Sequence, residues 1–320
     1  MILLDATKLR SFMQCPRRFY YAHCLHLEPA GSQKIDLLFG GLVHDALEKF
    51  TELARNHEPE AALLRTLEEI KGPSCVLDDY DDSRKNRQSL FRVLIWYRDQ
   101  FYEYNPVLET IRNEIPFRVS LAKLVSHYSL NEFAGELGLS RLSEKIWIGG
   151  RLDSLVRGPS HDEYWIKEIK TTVQSLSPFF FMRYSPEIQT SLYPMVARLI
   201  YPELRIRGVM LEAIQVGVNF VRFDRKEIVK WPDHAVETLR AILKSIAIMC
   251  NDGLLEDQVA TDLDIDFNET GCMAGGGPCN FRNVCNAHPA ARRDILRQSF
   301  VRREPWSPLS DLPDSEIITI

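Results

Sequence analysis

Asp153, Glu168 and Lys170 are the residues whose types and spacing point most directly to chemistry. Alternation along E-Y-W-I-K-E-I-K (163–170) puts Tyr164, Ile166, Glu168 and Lys170 on one face of a strand, with Trp165 and Ile169 on the other. A carboxylate and an ammonium therefore project side by side from the E-I-K step. Asp153 falls in the preceding strand-like segment, G-G-R-L-D-S-L-V, where two glycines permit close backbone approach. The short connection G-P-S-H-D predicts that the two segments form a hairpin, so that Asp153 and Glu168 converge on one cation. An oxygen-rich site of that kind suits Mg²⁺ or Mn²⁺. Taken alone, D-x14-E-x-K fits a structural salt bridge better than a catalytic pair.

The elements that must position these residues can be read from periodicity. Residues 7–27 read as helical, with Pro16 tolerated at the start of a new turn, and 38–55 as a second amphipathic helix carrying Phe39, Val43, Leu47 and Phe50 on one side. Residues 60–71 and 84–104 read as further helices around the acidic loop L-D-D-Y-D-D-S, giving a helical insertion at about 55–105. Strand-like sequence starts near Thr110 and is clear at 145–157, 163–170 and 206–223. A helix is expected from Ser185, with Pro186 in its first turn, to about Ile200, and another over 233–252, opened by Asp233 and closed by Gly253. The segment 306–320 is rich in Pro and Ser and reads as a loose tail.

A second constellation is Cys272-x6-Cys279-x5-Cys285, three thiolates in the glycine-rich stretch G-C-M-A-G-G-G-P-C-N-F-R-N-V-C. Cys24, Cys75 and Cys250 are scattered among apolar neighbours. Three unliganded thiols in a glycine loop would be exposed to oxidation without benefit, so a metal centre is the better reading.

Bulk composition narrows the classes. The chain has 320 residues, 45% hydrophobic and 26% charged, which excludes wholesale disorder. No apolar run approaches a membrane span, and the N-terminus turns polar by Asp5 without a signal-peptide pattern, so a cytoplasmic location and no membrane partner are expected. A net charge of −5 counts against a protein that coats nucleic acid by bulk electrostatics. One local excess stands out: Arg282, Arg292, Arg293, Arg297, Arg302 and Arg303 face a single acid, Asp294, and fit a solvated basic helix as well as a DNA-facing one. A G-x4-GK-[ST] phosphate loop is absent, so any DNA unwinding would fall to a partner such as a helicase.

The order F-G-G-L-V-H (His44), G-R-L-D (Asp153), E-I-K-T (Glu168, Lys170, Thr171) and Q-x3-Y (Gln189, Tyr193) resembles the RecB-like branch of the PD-(D/E)XK nucleases. That branch includes the nuclease domains of bacterial helicase–nucleases and the CRISPR-associated RecB-like exonucleases. The resemblance runs through residues 9–289. It implies an α/β restriction-endonuclease-like core with a central mixed sheet, forming one nuclease domain over 1–305. It also implies that Asp153 and Glu168 hold the metal with His44, and that Lys170 activates water or stabilises the transition state. Gln189 and Tyr193 would brace Lys170 or touch DNA, with Glu114 in R-N-E-I-P-F as a further acidic candidate. Two positions depart from the usual pattern: the second acid is Glu rather than Asp, and Pro194 directly follows Tyr193, where a kink is expected.

The same resemblance supplies a fourth thiolate, Cys15 in Q-C-P-R-R-F-Y-Y, and implies a [4Fe–4S] cluster that clasps 268–290 to the N-terminus. Zinc is the alternative metal; the lack of C-x2-C knuckles favours iron–sulfur, and Cys24 is a possible substitute ligand. Arg17, Arg18 and Arg282 would line an approach for DNA, with single-stranded ends as the expected substrate. The function implied is a Mg²⁺- or Mn²⁺-dependent deoxyribonuclease, an exonuclease in repair, recombination, phage or CRISPR-related processing. A catalytically silent DNA-end-binding subunit and a zinc-clasped scaffold are the alternatives. Retention of His44, Asp153, Glu168 and Lys170 together argues against the silent subunit.

Overall fold

A computed structural model of the chain describes residues 1–32, 35–103, 108–158, 160, 162–255, 262–273 and 277–320. Residues 104 and 105 of the expected insertion, 159 and 161 of the expected hairpin connection, and the glycine run 274–276 lie outside the described residues.

The fold is mixed α/β. β1 (Ile2–Leu4) leads into α1 (Ala6–Gln14), which Asp5 opens by accepting the Lys8 amide at 2.8 Å, and then α2 (Pro16–Phe19). The single helix expected over 7–27 is thus broken at Cys15. That residue is extended, as a residue before proline prefers to be, and Pro16 starts a new helix. A π-helical turn at Tyr20–Cys24 leads to β2 (Leu27–Pro29). The amphipathic stretches form α3 (Ile35–Leu53), α4 (Pro59–Ile70) and α5 (Arg87–Arg98). Then come β3 (Glu109–Ser120), α6 (Leu121–His127), α7 (Asn131–Glu136), β4 (Ile146–Arg157) and β5 (Tyr164–Thr172). They are followed by α8 (Pro178–Met182), α9 (Ile188–Ile200), β6 (Ile206–Val216), β7 (Val221–Val229) and α10 (Pro232–Asn251). The chain closes with α11 (Arg282–Asn286), α12 (Pro289–Ser299), β8 (Phe300–Arg302) and β9 (Ile318–Thr319). No helix among the described residues is long and apolar enough to cross a membrane.

The chain divides into two compact units. The first comprises Met1–Ser32, Pro116–Gly150 and Pro232–Ile320; the second comprises Gln33–Ile115 and Arg151–Trp231. β3 and β4 each begin in one unit and end in the other.

In the second unit the strand order is β7-β6-β5-β4. β4 and β5 form the expected antiparallel pair, from Ser154 opposite Lys167 to Arg157 opposite Tyr164, and the Gly158 amide closes the turn on Glu163 O at 2.7 Å. β5 runs parallel to β6, with Glu168 opposite Leu211 and Lys170 opposite Ala213, and β6 pairs antiparallel with β7. The helices expected as an insertion do not stand apart. Leu63 and Ile70 of α4 and Leu90, Val93 and Leu94 of α5 share one buried core with Phe39, Val43 and Phe50 of α3 and with Ile169, Ile214 and Val216 of the sheet. Each such side chain contributes about 1.5–3 kcal/mol on burial, which is why these helices cannot leave the sheet.

One further expectation changes in the second unit. The helix expected from Ser185 begins at Ile188, because the Glu187 carboxylate accepts the Thr190 amide at 2.9 Å and caps it there. It runs to Ile200 as expected, with Pro194 inside it amid a buried run from Thr190 to Ala197.

In the first unit β1 pairs in parallel with the start of β4, Ile2 opposite Ile146 and Leu4 opposite Ile148. The tail expected to be loose is paired instead. Ile318 and Thr319 lie parallel to Phe117 and Arg118, the Ser120 amide donates to Ile320 O at 2.9 Å, and Leu309 and Ile317 are buried. The apolar residues at the end of the tail, not its prolines and serines, decide its fate.

Candidate active site and metal centre

The residues with the sharpest chemistry lie in the second unit. His44 comes from the middle of α3, Glu114 from β3 and Asp153 from β4. One ligand atom from each lies within 4.8 Å of the other two. Among the described residues they are the one such group of His, Cys, Asp or Glu. Glu168, expected in this set, stands in a second cluster beside it, and Glu114 takes the third place.

The backbone of Ile169 holds two of the three. Its N–H donates to Asp153 Oδ2 at 2.9 Å, and its carbonyl lies 3.1 Å from His44 Nε2. A carbonyl only accepts, so Nε2 carries a proton and the neutral ring keeps its lone pair on Nδ1. Nδ1 faces Asp153 Oδ2 at 3.4 Å. Two acceptors placed in this way repel each other unless a cation or a second ring proton stands between them. The Ile169 side chain is sunk in the α3–α5 core, so packing fixes the backbone that fixes the ligands.

Glu114 has φ of 41°, in the left-handed region that a strand residue other than glycine rarely adopts. This break in β3 brings its carboxylate to His44 and Asp153, with Arg151 Nη1 at 3.3 Å from Oε2. Local geometry of this cost persists only where the surrounding structure over-determines it. Burial, with the charges of Asp153 and Glu48 against those of Arg151 and His44, pushes Glu114 up to about 7.

The neighbouring cluster is Glu168, Lys170 and Gln189. Lys170 Nζ donates to Glu168 Oε1 at 2.5 Å and to Gln189 Oε1 at 3.2 Å, while Gln189 Nε2 donates to the same Glu168 oxygen at 2.6 Å. One amide from α9 thus braces both members of the E-I-K step. Glu168 is 2% exposed, and its other oxygen, Oε2, is buried without a hydrogen-bond partner. Burial and the Asp153 charge raise Glu168 to about 7 against the pull of Lys170. Burial works to lower Lys170, but Glu168 and Asp153 outweigh it and raise the ammonium above its ordinary value. In the metal-free protein this pairing favours the ammonium form of Lys170. Tyr193 lies one turn beyond Gln189 and is buried.

Two carboxylates and one imidazole lone pair, with an orphaned carboxylate oxygen in the neighbouring cluster, form an oxygen-rich donor set that fits Mg²⁺ or Mn²⁺. That fit has a pH signature. Glu114 and Glu168 move from an ordinary 4.5 to about 7 in the folded, metal-free protein. Across that window the folded state keeps protons that the unfolded chain has released. Metal-free stability therefore falls as pH rises from about 4.5 to about 7. A cation neutralises the same carboxylates, so Mn²⁺ should raise the melting temperature far more at pH 8 than at pH 5. Equal shifts at both values, measured by differential scanning fluorimetry, would count against a cation among these groups.

Cys15, Cys272, Cys279 and Cys285 lie in the first unit. Cys15, buried between α1 and α2, accepts the Asn268 amide on Sγ at 3.5 Å. Gly271 packs so closely that a Cβ there would sit 2.5 Å from Gln14 O and 3.3 Å from Cys15 Cβ. The Cys272 thiol points to Asn268 O at 3.9 Å, and the Cys279 amide donates to Cys272 O at 2.7 Å. Burial raises Cys285, with Cys15 and Cys279 adding to it and Arg17 opposing. The N-terminal Q-C-P-R segment and the cysteine loop thus meet, but no three of these sulfurs come within 4.8 Å of one another. Cys24 turns elsewhere, donating to Leu254 O at 3.4 Å.

The arginines sort by burial. Arg17 is turned inward: it is 6% exposed, donates through Nη2 to Ile265 O at 2.8 Å and covers the Phe267 ring at 4.7 Å. It has little surface to offer DNA. Arg18 bonds Gln14 Oε1 at 3.0 Å, and Arg282 is exposed at the start of α11. Arg292, from the basic run, is buried against Asp262 at 3.1 Å.

Comparison with curated proteins finds no match. A family model described as the PD-(D/E)XK nuclease superfamily matches residues 4–286, a span that takes in both clusters of the second unit and Cys15, Cys272, Cys279 and Cys285 of the first. With that match over most of its length, the chain belongs to the PD-(D/E)XK nuclease superfamily.

Proposed function

We propose that this chain is a Mg²⁺- or Mn²⁺-dependent deoxyribonuclease of the RecB-like branch, one nuclease domain over 1–305 that shortens single-stranded DNA ends. The observation that carries the reading is the convergence of His44 Nδ1, Glu114 and Asp153 beside a buried, partnerless Glu168 oxygen and the Lys170 ammonium. His44, Glu114 and Asp153 would hold the cation, with the partnerless Glu168 Oε2 as a further donor from the neighbouring cluster. A divalent cation there supplies a Lewis acid that acidifies a bound water and neutralises phosphate charge. Lys170 donates to the non-bridging phosphate oxygens, where charge builds in the transition state. Gln189 holds the ammonium in place, and Ile169 N–H keeps Asp153 from turning away.

A [4Fe–4S] cluster on Cys15, Cys272, Cys279 and Cys285 is part of the same proposal. Its support is the meeting of Cys15 with the cysteine loop. The lack of C-x2-C knuckles favours the cluster over tetrahedral zinc. A partner, such as a helicase, would open duplexes for this enzyme in repair, recombination, phage or CRISPR-related processing.

End-labelled single- and double-stranded DNA with Mg²⁺ or Mn²⁺ tests the reading. Linear single strands should shorten progressively while closed single-stranded circles survive. EDTA should stop cleavage at once, and restored metal should recover it, because a hard-cation site exchanges freely with solvent. Cleavage that persists after thorough chelation would refute the mechanism. DNA-end binding without cleavage under any metal would make the chain a silent subunit.

A further inference from the structure

Alternation along β5 turns Lys167 to the opposite side from Glu168 and Lys170, between Trp165 and Ile169. That side carries Ile169 into the core under α3 and α5, and Lys167 is only 4% exposed. An ammonium at such depth needs acceptors. The nearest is Glu212 of β6, itself fully buried, but Lys167 Nζ stops 3.8 Å from Oε2, beyond hydrogen-bond reach. Among the described residues Nζ makes no hydrogen bond.

Glu212 is already supplied with donors. Its Oε1 accepts from Arg225 Nε at 3.0 Å and also from Nη2, and its Oε2 accepts the Tyr97 hydroxyl at 2.9 Å. Burial works to raise Glu212, but Lys167 and Arg225 outweigh it and hold the carboxyl below its ordinary value. One negative charge is therefore set against two positive ones. The phenols add no second anion: burial, with the Glu212 charge, pushes Tyr102 up to about 12 and Tyr97 well above its ordinary value. Arg225 is engaged by Glu212 and by the Phe101 ring that it covers at 4.3 Å, which leaves Lys167 as the donor with nothing to hold.

Beside Lys167 the packing leaves a space of about 10 Å³. Lys167 and Arg225 border it from the sheet, with Thr51 of α3, Tyr97 of α5, and Phe101 and Tyr102 just beyond α5. Such a space takes one particle of about the size of water and is too small for phosphate, sulfate or a carboxylate. None of the described residues at its border carries a carboxylate. A water there would accept from the ammonium but leave the surplus charge buried and unanswered. A halide ion, little larger than water, is both acceptor and counter-charge.

We propose that this space is a chloride site, with the Lys167 ammonium as the donor that holds the ion. The site lies on the other side of β5 from Glu168 and Lys170, and the inference does not depend on the nuclease reading.

Crystals of the protein grown in sodium gluconate and soaked in sodium bromide test it directly, because bromide replaces chloride and scatters anomalously. An anomalous peak should appear at hydrogen-bond distance from Lys167 Nζ. In solution, exchanging gluconate for chloride at constant ionic strength should raise Tm by about 3–5 °C once chloride is tenfold above its Kd. Lys167→Met keeps the length of the side chain without its charge, so its Tm should be the same in both salts. Water alone in the space after the bromide soak overturns the site. A chloride shift that Lys167→Met retains in full does so too, since it marks a general effect of the salt. Should the Met variant fail to fold, the bromide peak in the parent protein decides by itself.

Discussion

Asp153→Ala and Lys170→Ala should each lower DNA cleavage by at least about 10²–10³-fold while leaving the fold intact. Asp153 takes part in both halves of the site. It meets His44 Nδ1 and Glu114 in the cation set, and its charge raises Glu168 in the neighbouring cluster. Removing it takes away a cation ligand and leaves the Ile169 amide without its carboxylate partner. Asp153→Asn separates these effects: the amide oxygen still accepts from Ile169, but the charge is gone. Because Asp153 also pushes Glu114 upward, the metal-free Asn variant should be no less stable than the parent, even as activity collapses. Lys170→Ala strips the ammonium that two acceptors hold, so its loss should appear in the chemical step and not in cation affinity. Cleavage of labelled DNA at the parental rate by both Ala variants would sink the assignment. Unchanged Mn²⁺ affinity in Asp153→Ala would remove Asp153 from the cation set.

The parts of the fold and site that were legible share a physical feature: each is a regular element with one face in a core. β4 and β5 showed their pairing because alternation sorted Glu168 and Lys170 from Ile169, and α3 showed its apolar stripe with His44 beside it. Gln189 was named through the resemblance and its Q-x3-Y motif, since helical periodicity alone leaves it an ordinary helix-surface residue. Glu114 could be named from its neighbours but not placed, since it reaches the site through a left-handed backbone break that no periodic pattern announces. Its one local signal is the acid standing two residues before Pro116. Arg17 misled for the opposite reason: a basic residue in a basic motif reads as surface, and only long-range contacts to Ile265 and Phe267 turn it inward. The tail was judged by its prolines, while the pairing of Ile318 with Phe117 joins residues 201 positions apart. Contacts of that range leave no trace in local composition.

Cys15→Ala should be nearly as damaging as Cys272→Ala, although 257 positions separate the two. Protein purified without oxygen is expected to be brown and to carry about four irons per chain. A centre that joins Cys15 to Cys272, Cys279 and Cys285 closes most of the chain into one loop, and by analogy with a disulfide that closure is worth on the order of 5 kcal/mol. Such a sum rivals the whole stability of an ordinary domain, so either variant should lose its colour and become sensitive to protease. Geometry already prepares the joint. Gly271 lies against Gln14 O where no side chain fits, and the Asn268 amide points at Cys15 Sγ. Cys24→Ala serves as the control: its thiol is committed to Leu254 O, so iron content should not change. Zinc in stoichiometric amount, without iron under anaerobic preparation, would replace the cluster by a structural zinc site. A Cys15→Ala protein that stays brown and resists protease would end the case for a clasp between the two ends of the chain.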